Sequence, residues 1–361
     1  MTLNPEHVIV RAGGKDYSGW ERVTWAASIK EAARQFALET TEGSPLFEQA
    51  WSFPPGTPIQ IYSYGELVID GYVNRYAPRI SAIDHRITIT GRSKAQDFVD
   101  CAAVHEPGYW ENKTPLEIGQ DLDKFGVGIT ADVPLEPIPY FQLYQGETAF
   151  EALERAIRHQ GVTAMGDPAG IRLTNAKAAK RHTGGLIEGY NIKVAHATLS
   201  DDERFSEYTV KGQGRHGRGE RSLRIKERWT DTGVKRYRPR IIILEGDADP
   251  KRALKRAEVE ANRSQGLSVR AEIVTQGWRD DGGKIWTPNH LVYVFSPSLK
   301  IDGDLLIERV EFEQEGAENT GSLAKLSLVN ERAYQGQKAG RGGKGGKGGA
   351  KSDNSAAEWN E

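Results

Sequence analysis

The sequence predicts an α+β chain that is mainly β: two related β units flank a small α/β unit, a helical insertion interrupts the second β unit, and a Gly/Lys-rich tail closes the chain. Three observations carry this. Apolar and polar residues alternate near both ends of the chain, the spacing of strands with one buried face. Between those regions lie two Thr-x-x-Glu capping boxes, the signature of helix starts. After Tyr334 only Gly, Lys and small polar residues dominate, and they bury too little apolar surface to offset the entropy of ordering.

The first β unit spans residues 1–92, with strands expected at His7–Arg11, Ile59–Tyr62, Leu67–Val73 and Arg86–Thr90. Ser28-Ile29-Lys30-Glu31 has the form of a capping box and predicts one short helix through Ala32, Ala33 and Phe36. The α/β unit, residues 93–186, opens helices at Thr114-Pro115-Leu116-Glu117 and Thr148-Ala149-Phe150-Glu151, the first with proline at the favoured first helical position. Gly161 stands where a left-handed C-cap is expected, and strands Val162–Met165 and Gly170–Leu173 follow.

The second β unit, 187–333, shows strands at Phe205–Val210, Val269–Thr275, Leu291–Phe295, Leu305–Phe312 and Leu323–Val329. Its insertion, 212–266, ends in a helix capped by Asp249, opened by Pro250 and closed by Gly266. Gly56–Tyr62 followed by Leu67–Val73 is similar to Trp286–Tyr293 followed by Leu305–Val310, each a Thr-Pro turn leading into two successive strands. The match points to an internal duplication, although any hairpin produces part of it.

A chain of 361 residues exceeds one ordinary core, and a net charge of −2 gives no overall bias toward polyanions. The single cysteine, Cys101, excludes an internal disulfide and is expected to be a small buried residue. No apolar run approaches the length of a membrane span, so no membrane anchor is expected.

Gly212, Gly214 and Gly217 spell G-x-G-x-x-G behind an apolar strand pattern, but RGERSLRIKERWTD follows where a dinucleotide fold needs an apolar helix. A loop after an edge strand fits better. The same stretch gathers Arg215, Arg218, Arg221, Arg236, Arg238 and Arg240, a candidate polyanion contact with Trp229 and Tyr237 interleaved. A solvated loop or protein interface fits that cluster as well. Histidines lack metal-ligand spacing, there is no G-x-S-x-G or H-E-x-x-H, and each D-x-D, at Asp247 or Asp302, reads as a turn or cap. Glu106 and Glu111 around Tyr109-Trp110 lack an opposing carboxylate. No catalytic residue, cofactor or metal is expected.

The stretches Gly91–Cys101, Leu186–Ile192, Arg204–Gln213 and Gly277-Trp278 ahead of Trp286–Asn289 resemble the baseplate hub proteins of contractile-tailed bacteriophages. The resemblance is nearest the hub of phage Mu and more distant for the late-control-D tail proteins and the T-even phage hub, and it runs from about residue 5 to residue 333. It implies a non-enzymatic homotrimer in which two similar β-barrel domains per chain form a pseudo-sixfold ring, with a LysM-like module between them. The implied partners are a central spike and the tail tube or tape-measure and other baseplate proteins. DNA contact is implied only in transit, and the location is the virion tail baseplate after assembly in the host cytoplasm. The basic stretch 215–240 and the tail do not match the family pattern. Tyr62, Trp278 and Trp286 are the expected interface aromatics, with Trp359 as a peptide anchor. A tail-associated peptidoglycan hydrolase and a DNA-binding protein using residues 215–240 are the rival readings.

Overall fold

The computed structural model describes residues 6–41, 53–81, 85–213, 224–247, 250–316 and 321–334. Its first part is all strand: β1 (Val8–Ala12), β2 (Lys15–Tyr17), β3 (Arg22–Ser28), β4 (Gln35–Thr41), β5 (Pro58–Ser63), β6 (Glu66–Ile80) and β7 (His85–Ser93). The middle holds α1 (Ala95–Asp100), β8 (Tyr109–Lys113), α2 (Pro115–Leu122), β9 (Ile129–Ala131), β10 (Ile138–Gln142), α3 (Ala149–Ile157), β11 (Thr163–Asp167) and β12 (Gly170–Thr174). Then come β13 (Lys180–Ile187), β14 (Ile192–Leu199), β15 (Glu207–Gln213), β16 (Arg224–Thr230), β17 (Pro239–Asp247), α4 (Pro250–Leu267), β18 (Val269–Gln276), β19 (His290–Ser296), β20 (Ile301–Glu315) and β21 (Ser322–Val329).

Thirteen strands form one sheet, whose path is β14-β18-β21-β20-β3-β4-β7-β6-β5-β1-β2, with β19 on β20 and β13 on β19. One continuous core lies against it, including Trp25, Leu38, Ile61, Ile69, Ile273, Val294, Phe312 and Leu326. The mainly β, α+β class therefore holds, but neither β unit closes into a barrel among the described residues. The edge of β3 that closure would need is paired instead with β20 of the other unit, from Arg309↔Ser28 to Glu315↔Arg22.

The α/β unit has its own core of Phe98, Ile118, Leu122, Phe150, Leu153, Ile157 and Leu173. Both capping boxes form in full. Thr114 accepts from the Glu117 N–H and Glu117 accepts from the Thr114 N–H, and Thr148 and Glu151 repeat the exchange. Gly161 takes the expected left-handed conformation at φ 66°. β13 leaves this unit for the large sheet, lying parallel to β19.

The Ser28 box does not make a helix. Its Oγ accepts the Lys30 N–H at 3.1 Å, which caps only a turn. Glu31 is held by Arg309 at 2.9 Å, and Phe36 is buried in β4, so tertiary pairing overrides the local signal. The expected C-cap Gly266 lies within α4. It is there for room: a Cβ on it would meet the Ala333 backbone nitrogen at 1.9 Å. Asp249, the expected cap of that helix, lies outside the described residues. Ala253, Ala257 and Ala261 form the α4 stripe that packs on Tyr208, Val210 and Ile225. Cys101, expected inside, is exposed: it ends α1 as its C-cap, and its side chain is not needed by the core.

Candidate assembly surfaces

The G-x-G-x-x-G stretch joins two antiparallel strands, since Gln213 of β15 faces Arg224 of β16. Gly214 and Gly217 lie outside the described residues. So do Arg215, Arg218, Arg221 and Trp359. The other three arginines of the basic cluster are engaged. Arg236 is paired with Asp201, Arg238 donates to the Asp201 and Asp202 carbonyls at 2.7 Å each, and Arg240 lies 3.3 Å from Glu260. Arg238 and Arg240 also sit over the Phe205 ring, so the cluster fastens the β15–β17 sheet to the chain before it and to α4.

Of the expected interface aromatics, Tyr62 is half-buried, with its hydroxyl on Gln60 and Arg11 over its ring. Trp278 is fully buried; its indole N–H donates to the Glu313 carbonyl at 3.2 Å and its ring packs edge-on against Trp25 and Phe312. Trp286 is buried as well, beside His182. Both tryptophans are core residues in this fold, because the sheet needs large rings to fill its centre.

His182 and Asp280 are the nearest arrangement to a catalytic pair. Nδ1 lies 2.7 Å from Asp280 Oδ2, while Nε2 accepts the Thr287 N–H at 3.1 Å, so both nitrogens are occupied within the fold. Burial holds the imidazole below its usual pKa despite the carboxylate. Burial works against the Asp280 charge too, yet hydrogen bonds from His182 and the Lys284 and Thr183 amides keep its pKa below the usual range. The pair pins the 280–287 loop to β13 and offers nothing to a substrate. Among the described residues no group of His, Cys, Asp and Glu could hold a metal. No helix among them is long and apolar enough to cross a membrane.

The β units pair alike, and this defines the open surfaces. β5–β6–β7–β4–β3 and β19–β20–β21–β18–β14 are paired in the same antiparallel order. Both long strands are bulged at the same place, between Val73 and Arg75 in β6 and between Ile307 and Arg309 in β20. Gly56 donates to the Val73 carbonyl at 2.7 Å and Asn289 to the Ile307 carbonyl at 2.9 Å, each from a left-handed conformation. Val73 thus corresponds to Ile307 and Gly56 to Asn289. The Thr-Pro match that suggested the duplication is therefore three residues out of register: Thr57 corresponds to His290, not Thr287.

The correspondence breaks at one edge. β3 pairs with the second half of β20, where Trp25 stacks on Phe312 at 3.9 Å and Arg22 pairs with Glu313. β14, the counterpart of β3, ends the sheet path with one edge unpaired, and the second half of β6 pairs only with β7 among the described residues. Val194 and Leu199 on β14 are 63% and 52% exposed, whereas Ala27, the counterpart of Leu199, is 2% exposed. Neither β3 nor β14 is among the strands expected from the sequence. The alternation Val23, Trp25, Ala27 was the signal for the first, and the weaker Val194, Leu199 pattern for the second.

A family model described as Mu phage baseplate assembly protein GpP-like, N-terminal, matches residues 7–93, and one described as baseplate hub protein gp44-like, second domain, matches 95–174. The third domain of a tail protein NMB1110-like model matches 204–258, and the fourth domain of Mu phage baseplate assembly protein GpP matches 249–336. The baseplate hub protein gp44 of Escherichia phage Mu is 33% identical over 335 residues, covering 88% of this chain and 87% of that protein. The 43 kDa tail protein of prophage MuSo2 from Shewanella oneidensis superposes with a TM-score of 0.81 at 32% identity, over 91% of this chain and 99% of that one. The tail protein from Neisseria meningitidis MC58 has the same fold, with a TM-score of 0.76 at 18% identity over 93% of this chain and all of that one.

Proposed function

The chain belongs to the family of phage baseplate hub proteins, and from that premise we propose that it is the structural hub of a contractile tail, a homotrimer whose six similar β units form a pseudo-sixfold ring. The ring joins a sixfold tail tube to a threefold central spike within the virion baseplate, after assembly in the host cytoplasm. Its work is geometric, and DNA meets it only in passing through the channel.

The seam between β3 and β20 carries this reading. A closed threefold ring of chains, each with two like units, has two kinds of junction, one within a chain and one between chains. The inner junction is β3 on β20. The outer one places β14 of one chain on the second half of β6 in the next, with Ala197 opposite Pro78 and Leu199 opposite Tyr76. Pro78 stands at the position of Phe312 and has no N–H, so this ladder has one donor fewer than β20 offers. Exposed edges of this kind ordinarily invite pairing with another chain, and a closed ring leaves none open.

The test is a disulfide across the outer seam. Ala77→Cys and Thr198→Cys are combined in a Cys101→Ser background, because Cys101 is itself exposed. Antiparallel neighbours lie about 4.5–5.5 Å apart at Cα, within disulfide reach. Oxidation is expected to yield a covalent trimer on a non-reducing gel, with neither single variant cross-linking. A double variant that stays uncross-linked while forming trimers removes this seam, and one that stays monomeric removes the ring.

A further inference from the structure

We propose that the cavity bounded by Arg34, Arg172, Lys180, Lys284 and Trp286, where the α/β unit meets both β units, binds a small oxyanion of the phosphate class. The cavity is about 240 Å³, enough for one such ion with a water or two. Four separate parts of the chain build it: the β3–β4 turn, the start of β6, the β11–β12 hairpin with Lys180, and the loop from Lys284 to His290. None of these includes β14 or the second half of β6, so the site is independent of the hub reading.

Charge is the first argument. Two carboxylates line the cavity, and both are already matched: Asp167 by Arg172, and Glu66 by Arg279 at 3.0 Å. Three cations are left without a carboxylate within 4.0 Å among the described residues. Arg34 is buried and donates from Nε to the Gly166 carbonyl and from Nη1 to the Val68 carbonyl. Lys284 has only the neutral His290 ring as a near partner, Nζ to Nε2 at 2.8 Å. Lys180 stands exposed at the rim. Buried cations are ordinarily paired, so an excess of this kind calls for an anion.

Unsatisfied donors are the second argument. The Trp286 and Trp25 indole N–H groups are buried without a partner, and both residues line this cavity. A buried donor left unmet costs free energy that an oxyanion acceptor recovers. The protonation of the lining agrees. Burial lowers the Arg34 pKa to about 10, and burial with repulsion from Lys180 lowers that of Lys284, the mark of positive charge without its counterion.

The larger cleft of about 730 Å³, across the β3–β20 seam, lacks this excess. Its Arg22, Arg92, Arg309 and Lys325 are paired with Glu313, Asp100, Glu31 and Glu272.

Calorimetric titration of the full chain with inorganic phosphate, at ionic strength fixed with sodium chloride, tests the site. One saturable site per chain is expected, with sulfate competing, chloride inert and a rise in melting temperature as phosphate binds the folded state. Lys284→Gln and Lys180→Gln are each expected to weaken binding at least tenfold. Lys180 is exposed, so its variant keeps the test open if Lys284→Gln does not fold. Absence of saturation, equal action by chloride, or a Lys180→Gln chain that binds as tightly as wild type overturns the proposal.

Discussion

Replacing Leu199 by lysine discriminates between a free strand edge and an assembly seam. In the single chain Leu199 is 52% exposed, so the substitution leaves folding nearly unchanged. In the ring it takes the place that Ala27 holds in the inner seam, 2% exposed. Losing burial of half a leucine costs about 1 kcal/mol. Desolvating an unpaired ammonium against Tyr76 and Pro78 of the next chain adds about 2 kcal/mol. That is about 3 kcal/mol per seam, and with three seams in the ring the dissociation concentration rises by about three orders of magnitude. Light scattering after size exclusion, run over a concentration series, reads the change. Ile241→Lys is the control, because Ile241 is 59% exposed on β17, away from the seam. A wild-type chain that stays monomeric at the highest concentration, or a Leu199→Lys trimer no weaker than the Ile241→Lys trimer, refutes the reasoning.

Two further outcomes follow from the interior. Burial, together with repulsion from Lys284, takes the His290 pKa from 6.5 to about 4, and burial lowers that of His182, so both rings are neutral in the fold. The unfolded chain binds those protons first as pH falls, so the stability His290 contributes is complete above about 6.5 and is lost toward about 4. Urea midpoints should drop across that window by the equivalent of about 2 kcal/mol, and His290→Gln should flatten the profile; an unchanged slope in that variant counts against the assignment. Gly91→Ala should destabilise the chain by about 3 kcal/mol, because its Cβ would lie 2.1 Å from the Tyr72 carbonyl oxygen and 2.4 Å from the Phe36 ring. A loss under about 0.5 kcal/mol in denaturant titration would contradict the close approach of β4, β6 and β7 at that point.

What the sequence discloses depends on how local the cause is. The Thr114 and Thr148 boxes are closed by residues three positions away, and both form as read. The Ser28 box has the same spelling, but its Glu31 is taken by Arg309, nearly the whole chain away, and no local rule registers that. Trp278 and Trp286 lie in the core for a related reason. Trp278 and Trp286 were singled out by size, and size marks core and interface alike; only the fold tells which rings have neighbours. Val194 and Leu199 drew no notice because a half-exposed edge strand has neither the apolar content of a core strand nor the charge of a free surface. The duplication was legible through a Thr-Pro coincidence three residues off, since hairpins share grammar while register is set by bulges and left-handed turns.

The unequal halves of the chain explain why a duplicated protein would not simply be a dimer of units. If β14 found its partner within the same chain, as β3 does, the two units would close on each other and leave no edge for assembly. One seam is completed internally and carries Trp25 on Phe312 and Arg22 on Glu313. The counterpart positions hold Ala197, Pro78, Val194 and Arg79, which offer no ring stack, no ion pair and one ladder donor fewer. In the proposed ring the outer seam is thus the weaker of two like junctions. That order of strengths lets each chain fold before the ring closes and makes closure dependent on concentration, or on a threefold partner that gathers three chains.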